Sequence, residues 1–331
     1  MVIALHTRDR LIWNVNELII DMCKAMSIND NITLDLNGEG CDCQDIGLYD
    51  IIDNCARKFD YDISKISIRT WNTLEQHPVI NIKSSLSWHL LQREIENHKD
   101  LPKSKNSNLK HFGRFVGRSN APRLMLSTYL DEKYCNNTLS TYHYNSLDDY
   151  HKDHTGLESL INDFQVSDIG SHARFLSTCP RTIHHSDFVW TNDSQNDYYE
   201  QLLKTDHQQF KDLYLTFFVE IVSESYYNGN TFFITEKTCR PILCKTPFVI
   251  QGPTGFLKNL RALGFRTFDR WWDEGYDEDP PSWSVREIMK VIDFLATKTQ
   301  QEMSDMLQDM QDVLDYNRNH MIEMVHNERS K

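Results

Sequence analysis

One acid and two bases open a short segment of this 331-residue chain: Thr235-Glu236-Lys237, followed by Arg240, inside FFITEKTCRPILCKTPFVI at 232–250. Apolar runs flank the charges on both sides, the pattern of a strand–helix–strand unit with the charges at the mouth of the helix. Thr235 is suited to an N-cap, and Glu236 in the first turn suits the positive end of the helix dipole. Lys237 and Arg240 do not. Cations near a helix N-terminus oppose the dipole, so they call for a compensating anion such as a diphosphate. Glu236 beside such an anion can accept hydrogen bonds from ribose hydroxyls, as acids near βα turns do in nucleotide sites. A capped helix with a dipole-matched acid is the plainer reading of the same residues.

A second concentration of positive charge lies upstream. Between Asp100 and Asp131 there is no acidic residue, while Lys103, Lys105, Lys110, His111, Arg114, Arg118 and Arg123 all fall there. A solvated basic loop is one reading and a polyanion site the other. GRSNAPR at 117–123 ends a strand and opens a helix, so its backbone N–H groups, Arg118 and Arg123 are expected at the same cleft edge as Lys237.

The elements that must hold these residues alternate along the chain. VIALH, NITLDLN, KISIRTWN and VINIK read as strands, and GLYDIIDNCARKF from Gly47 carries apolar residues at helical spacing. LPKSKNSNLK from Leu101 is polar and breaks the pattern, which then restarts with strand at 112–116, helix from Ala121, strand at TLSTYHY, strand at LTFFVEIVSES, the TEKTCRPILCK helix, strand at PFVIQGP and helix at GFLKNLRALG. From Ser284 the chain reads as helix, broken once near Thr297. Strands alternating with helices imply parallel sheets with crossover helices. The expectation is an α/β protein of two facing Rossmann-like domains, 1–107 and 108–300, with a C-terminal helix over 301–331 that could pack back on the first domain. Ligands of such sheets sit beyond the carboxyl ends of the strands.

The totals exclude several classes. Apolar residues make up 40% and aromatics 11%, enough for a large core, and no apolar run reaches the roughly 18–20 residues of a membrane span. No signal peptide is read at the start. Eight cysteines without framework spacing point to reduced thiols and a cytoplasmic setting. A net charge of −13 argues against non-specific polyanion binding. There is no G-x-G-x-x-G, no P-loop and no serine nucleophile elbow.

FFITEKTCRPILCKTPFVIQGP resembles the donor-site signature of the α1,3-fucosyltransferase family, and is most similar to virus-associated glycosyltransferase-like proteins sharing ITEKT-x-RPI. FGRFVGRSNAPR is similar to that family's first strand and loop of the C-terminal domain, whose arginine meets the donor diphosphate. LNGEGCDCQDIGLYDIID is similar to its N-terminal-domain loop carrying Gly-Glu. The three matches span 36–253. The family's Glu-Asn-Ser strand end is here Ser223-Glu224-Ser225, followed by a longer YYNGNTFF loop. The resemblance implies a GT-B fold and an inverting, metal-independent transfer of sugar from a nucleotide sugar to a hydroxyl. It needs no further cofactor, and the acceptor would be a glycan or a hydroxymethylated base in DNA, in the host cytoplasm if the chain is viral. Glu39, flanked by glycines at a strand end, is then the expected base, with Asp42 and Asp35 behind it. Arg118 or Arg123, with Glu224, Thr235, Glu236, Lys237 and Arg240, would hold the donor.

Weaker constellations were Asp60–Asp62 and 277–279 as Asp-x-Asp metal motifs, HKDH at 151–154 and HHSD at 184–187 as metal sites, and Trp271-Trp272 as packing residues. A non-catalytic module binding nucleotide sugar or nucleic acid is the rival reading, and donor turnover separates the two.

Overall fold

The computed structural model describes residues 1–5, 7–8, 11–12, 14–28, 30–36, 39–100, 105–143, 156–181 and 211–329. The motifs at 151–154 and 184–187 lie outside them, as do Lys103 and Gly38. The chain is α/β, with two separate four-stranded parallel sheets. Its contacts divide it into two compact units, 1–90 with 225–235, and 91–224 with 236–331.

In the first unit, strands β1 (Val2–Ala4), β4 (Ile32–Asp35), β5 (Ile66–Thr70) and β6 (Asn81–Ser84) pair in the order β1-β4-β5-β6, and a small antiparallel pair, β2 (Thr7–Arg8) and β3 (Leu11–Ile12), stands apart. Alternation works as the sequence implies: Ile32 and Leu34 of β4, and Ile66 and Ile68 of β5, are buried while their neighbours are less so. Helices Val15–Ser27 and Leu48–Phe59 cross between strands and pack side by side, the first burying Leu18, Met22, Ala25 and Met26. The strand order never reverses, so this sheet offers no switch point.

The second sheet does reverse. Strands β7 (Lys110–Val116), β8 (Thr138–Tyr142), β9 (Phe217–Ser223) and β10 (Phe248–Gln251) run in the order β10-β9-β7-β8. The chain goes from β7 to β8 on one side, then returns to place β9 on the other side of β7. Every residue of the inner strand β9 and of the edge strand β10 is buried, as expected for parallel strands covered on both faces. Helix Ala121–Tyr134 follows β7, with Pro122 in its first turn and Asn120 Oδ1 accepting the Arg123 N–H at 3.0 Å.

The helices Pro281–Ala296 and Gln300–Arg329 break where the sequence predicts. A capping box explains the restart: Thr299 Oγ1 accepts the Glu302 N–H at 3.2 Å, and Glu302 Oε2 accepts the Thr299 N–H at 2.8 Å.

The compact units do not follow the bounds 1–107, 108–300 and 301–331. The first boundary falls at 90/91, because helix Trp88–Asn97 turns Leu91 and Glu94 into the second unit's interior. The last helix belongs to the second unit throughout. There Asn317 exchanges two hydrogen bonds with the Arg266 backbone at 2.8 Å each, and Arg318 donates to the carbonyls of Leu243, His98 and Lys99. The third difference, segment 225–235, was not legible in the hydrophobic pattern: it leaves the second unit after β9 and joins the core of the first.

Candidate functional site

The reversal of strand order between β7 and β9 puts the segment 117–120 and Glu224 at neighbouring carboxyl ends, the place where open parallel sheets hold ligands. Arg123 fastens them together. Its buried guanidinium donates to the Arg118 carbonyl at 3.0 Å, the Glu224 carbonyl at 2.7 Å and the Ser223 carbonyl at 3.4 Å. Arg118, by contrast, keeps a half-buried side chain that makes no hydrogen bond or ion pair among the described residues. The two arginines that the sequence left interchangeable therefore differ: one ties backbone, the other projects.

Most of the basic window is likewise structural, which departs from both of its readings, the solvated basic loop and the polyanion site. Arg114 is 1% exposed and donates to Ser127 Oγ, the Ile221 carbonyl, Ser223 Oγ and the Arg123 carbonyl. Burial, with Arg123 nearby, presses its pKa down. Lys105 Nζ donates to the carbonyls of Tyr214 and Phe217 and to Thr246 Oγ1 at 2.7–2.9 Å, and burial lowers it to about 7. His111 Nε2 pairs with the Lys298 carbonyl and Lys110 Nζ with that of Asn136. Guanidinium and ammonium groups here satisfy buried carbonyls that the sheet leaves over.

Helix Glu236–Leu243 starts at Glu236, with the buried Thr235 immediately before it. Lys237 Nζ lies 2.6 Å from Glu236 Oε1. Burial alone would push the Glu236 carboxyl up, but Lys237 and Arg240 outweigh it and hold it well below the usual carboxylate range. Glu224 accepts a hydrogen bond from Thr238 Oγ1, which fixes this helix to the end of β9. Arg240 points elsewhere than expected. It occupies the helix's last turn, with Nε 3.7 Å from Oε2 of the fully buried Glu94. Burial would lower Arg240, but Glu94 and Glu236 raise it. Burial raises Glu94, Arg240 pulls it back and Glu236 adds to the rise. The cations of this helix thus have carboxylates of their own, and the need for an outside anion, inferred from the helix dipole, is met largely by Glu94 and Glu236.

Glu94, Thr238 and Ser223 are the residues that sequence reading missed. A signal existed for Glu94: Leu91, Glu94, Ile95 and His98 form one helical stripe, with an acid where an apolar residue is expected. His98 Nδ1 sits 2.7 Å from the Glu94 carbonyl and 3.9 Å from Glu94 Oε2.

Glu39 and Thr235 belong to the first unit. The Glu39 N–H donates to Leu36, and its carbonyl accepts from Trp71 N at 3.0 Å and Thr70 Oγ1 at 3.1 Å, so the loop is pinned to the end of β5. Its carboxylate accepts the Tyr226 hydroxyl at 2.8 Å. The reserve candidates are committed otherwise. Asp42 accepts the N–H groups of Gln44, Asp45 and Asn230, and Asp35 lies 3.6 Å from Arg69.

The other motifs resolve into local structure. Asp62 caps a short 3-10 turn through the Ser64 N–H, and Asp277 accepts the N–H groups of Leu257 and Lys258 at the start of helix Phe256–Ala262. Trp272 stacks on Phe268, and Trp271 Nε1 donates to Asp309. Among the described residues no group of three or more His, Cys, Asp or Glu side chains is placed to share a metal ion, and no helix is long and apolar enough to cross a membrane. The eight cysteines form no disulfide.

Arg118, Arg123, Glu224, Thr238 and helix Glu236–Leu243 form one connected group in the second unit, while Glu39 stands in the first. Comparison of the chain with protein-family models, curated proteins and solved structures finds no match, so these residues and their chemistry carry the functional reading.

Proposed function

We propose that the chain is a glycosyltransferase of GT-B type, transferring a sugar from a nucleotide-sugar donor to a hydroxyl on a glycan or a hydroxymethylated base, with inversion and without a metal ion. One observation carries the reading: an arginine without a partner among the described residues, Arg118, stands where strand order reverses in a parallel sheet, beside Glu224 and the helix that bears Glu236 and Lys237. Arg118 would meet the diphosphate and Lys237 would add charge as the nucleotide leaves. Glu236, held ionised, would accept ribose hydroxyls. Glu39 would take the acceptor's proton as the hydroxyl attacks the anomeric carbon opposite the leaving group.

A thermal-shift screen with GDP- and UDP-sugars, in EDTA, tests the donor site. A ligand at 100 times its dissociation constant adds about 2.7 kcal/mol of stability, and Arg118→Ala should abolish that gain. No stabilisation by any nucleotide sugar, or stabilisation that survives Arg118→Ala, would sink the assignment. Turnover that EDTA abolishes and Mn²⁺ restores would sink its metal-independent part.

A further inference from the structure

Segment 225–235 is an excursion of the second unit's chain into the core of the first, and it is held there at every few residues. Asn72 is fully buried and spends its amide on it, donating to the Asn230 carbonyl at 2.9 Å and accepting the Phe232 N–H at 3.0 Å. Asp42 Oδ2 accepts the Asn230 N–H at 2.7 Å, Thr231 Oγ1 donates to the Gly40 carbonyl, and Ser87 Oγ donates to that of Ile234 at 2.9 Å. Phe233 packs 5.5 Å from the Trp71 ring and presses on Gly40, where a Cβ would come within 2.5 Å of it. Gly229 makes the turn with φ of +82°, a conformation open to glycine.

Tyr226 rides on this anchored segment. It is 8% exposed, within the first unit's core, and its hydroxyl reaches Glu39 Oε2 at 2.8 Å. The other charged groups at this end of the sheet have their own bonds: Asp35 with Arg69, Asp42 with three backbone N–H groups, and Glu75 with the Tyr49 hydroxyl, the Cys43 N–H and Asn72.

We infer that Tyr226 is a positioning residue for the Glu39 carboxylate, holding it ionised and aimed before an acceptor arrives. The inference rests on the reading of Glu39 as the base. A hydroxyl donating to a carboxylate favours its charged form and removes its rotational freedom, which is what a base on a loop needs from its surroundings. Tyr226 also lies two residues along the chain from Glu224, so the segment that orients the base begins next to a residue assigned to the donor.

Tyr226→Phe keeps the ring in the core and removes only the hydroxyl. With GDP- and UDP-sugars as probes, donor hydrolysis should fall about tenfold in kcat with KM and donor affinity unchanged. Tyr226→Phe combined with Glu39→Gln should be no slower than Glu39→Gln alone, as expected for two groups acting as a unit. Losses that multiply in the double variant overturn the inference. A second arm needs no turnover. By carbon-13 NMR the Glu39 side-chain carboxyl should titrate at a lower pH in the wild type than in Tyr226→Phe, because the hydroxyl donates to its charged form. A midpoint that Tyr226→Phe leaves in place or lowers overturns it whatever the variant's activity. Absence of nucleotide-sugar binding with the NMR result as expected would sink the glycosyltransferase reading but leave the Tyr226–Glu39 pairing standing.

Discussion

Replacing Arg123 with alanine should unfold the second unit more easily, whereas replacing Arg118 should leave its stability alone and weaken nucleotide binding. Arg123 is buried, and its guanidinium supplies the short bonds to the carbonyls of Arg118 and Glu224. Hydrogen bonds to a charged donor contribute about 1.5–3 kcal/mol each, and the Glu224 carbonyl left behind is buried. Two such bonds are offset in part by relief of a buried charge that lies close to Arg114. The net loss is about 2–4 kcal/mol, which lowers the melting temperature by roughly 5–15 °C for a unit of this size. Arg123→Lys should recover little of it, since a single ammonium lacks the planar fork that spans two carbonyls. The Arg118 side chain makes no hydrogen bond or ion pair among the described residues, so Arg118→Ala should stay within about 0.5 kcal/mol of the wild type. Nucleotide affinity should fall about ten- to a hundredfold instead, the value of one charge-assisted contact to phosphate. Thermal melting and titration calorimetry of the two variants read both halves. A destabilised Arg118→Ala beside an unaffected Arg123→Ala would refute the division of labour drawn from the structure.

The Glu220 carboxyl, buried in β9 and bonded to the Tyr214 hydroxyl at 2.8 Å, is pushed up to about 7 chiefly by burial. The native state then binds more protons than the unfolded chain from the ordinary glutamate value up to about 7, so wild-type stability relative to Glu220→Gln should fall as pH rises through that window, by at most roughly 3–4 kcal/mol, in chemical denaturation at stepped pH. Asn72→Ala should cost about 3 kcal/mol and speed hydrogen exchange at the amides of Asn230 and Phe232, because their anchors lead to Asn72 and Asp42; unchanged exchange would contradict the anchoring. Gly40→Ala should destabilise by about 1–3 kcal/mol through overlap with Phe233, while Gly117→Ala, with nothing within 4 Å of its Cβ, should not, and melting curves compare the pair.

Local pattern determined much of this protein. Alternating Ile and Leu mark β4 and β5, mainly apolar runs mark β9 (broken by Glu220) and β10, Asn120 and Pro122 mark the start of helix Ala121–Tyr134, and Thr299 with Glu302 marks the restart of the last helix. Each is a property of residues a few positions apart, so a chain read in one dimension displays it. Charge and composition set the class, and the types of the candidate residues were legible for the same reason.

Tertiary structure alone decided what those residues do. Arg114, Arg118 and Arg123 are indistinguishable as a basic run, yet β9 returning beside β7 buries two of them against its carbonyls and leaves the third projecting. Arg240 reads as an anion contact until helix Trp88–Asn97 brings Glu94 to within 3.7 Å of it. Segment 225–235 reads as an ordinary loop until Asn72, 160 positions before Phe232, binds its backbone. In each case the deciding partner is far away in sequence. The fate of a polar side chain depends on which unsatisfied carbonyl, carboxylate or N–H group the fold delivers to it, and strand pairing settles that, not local pattern.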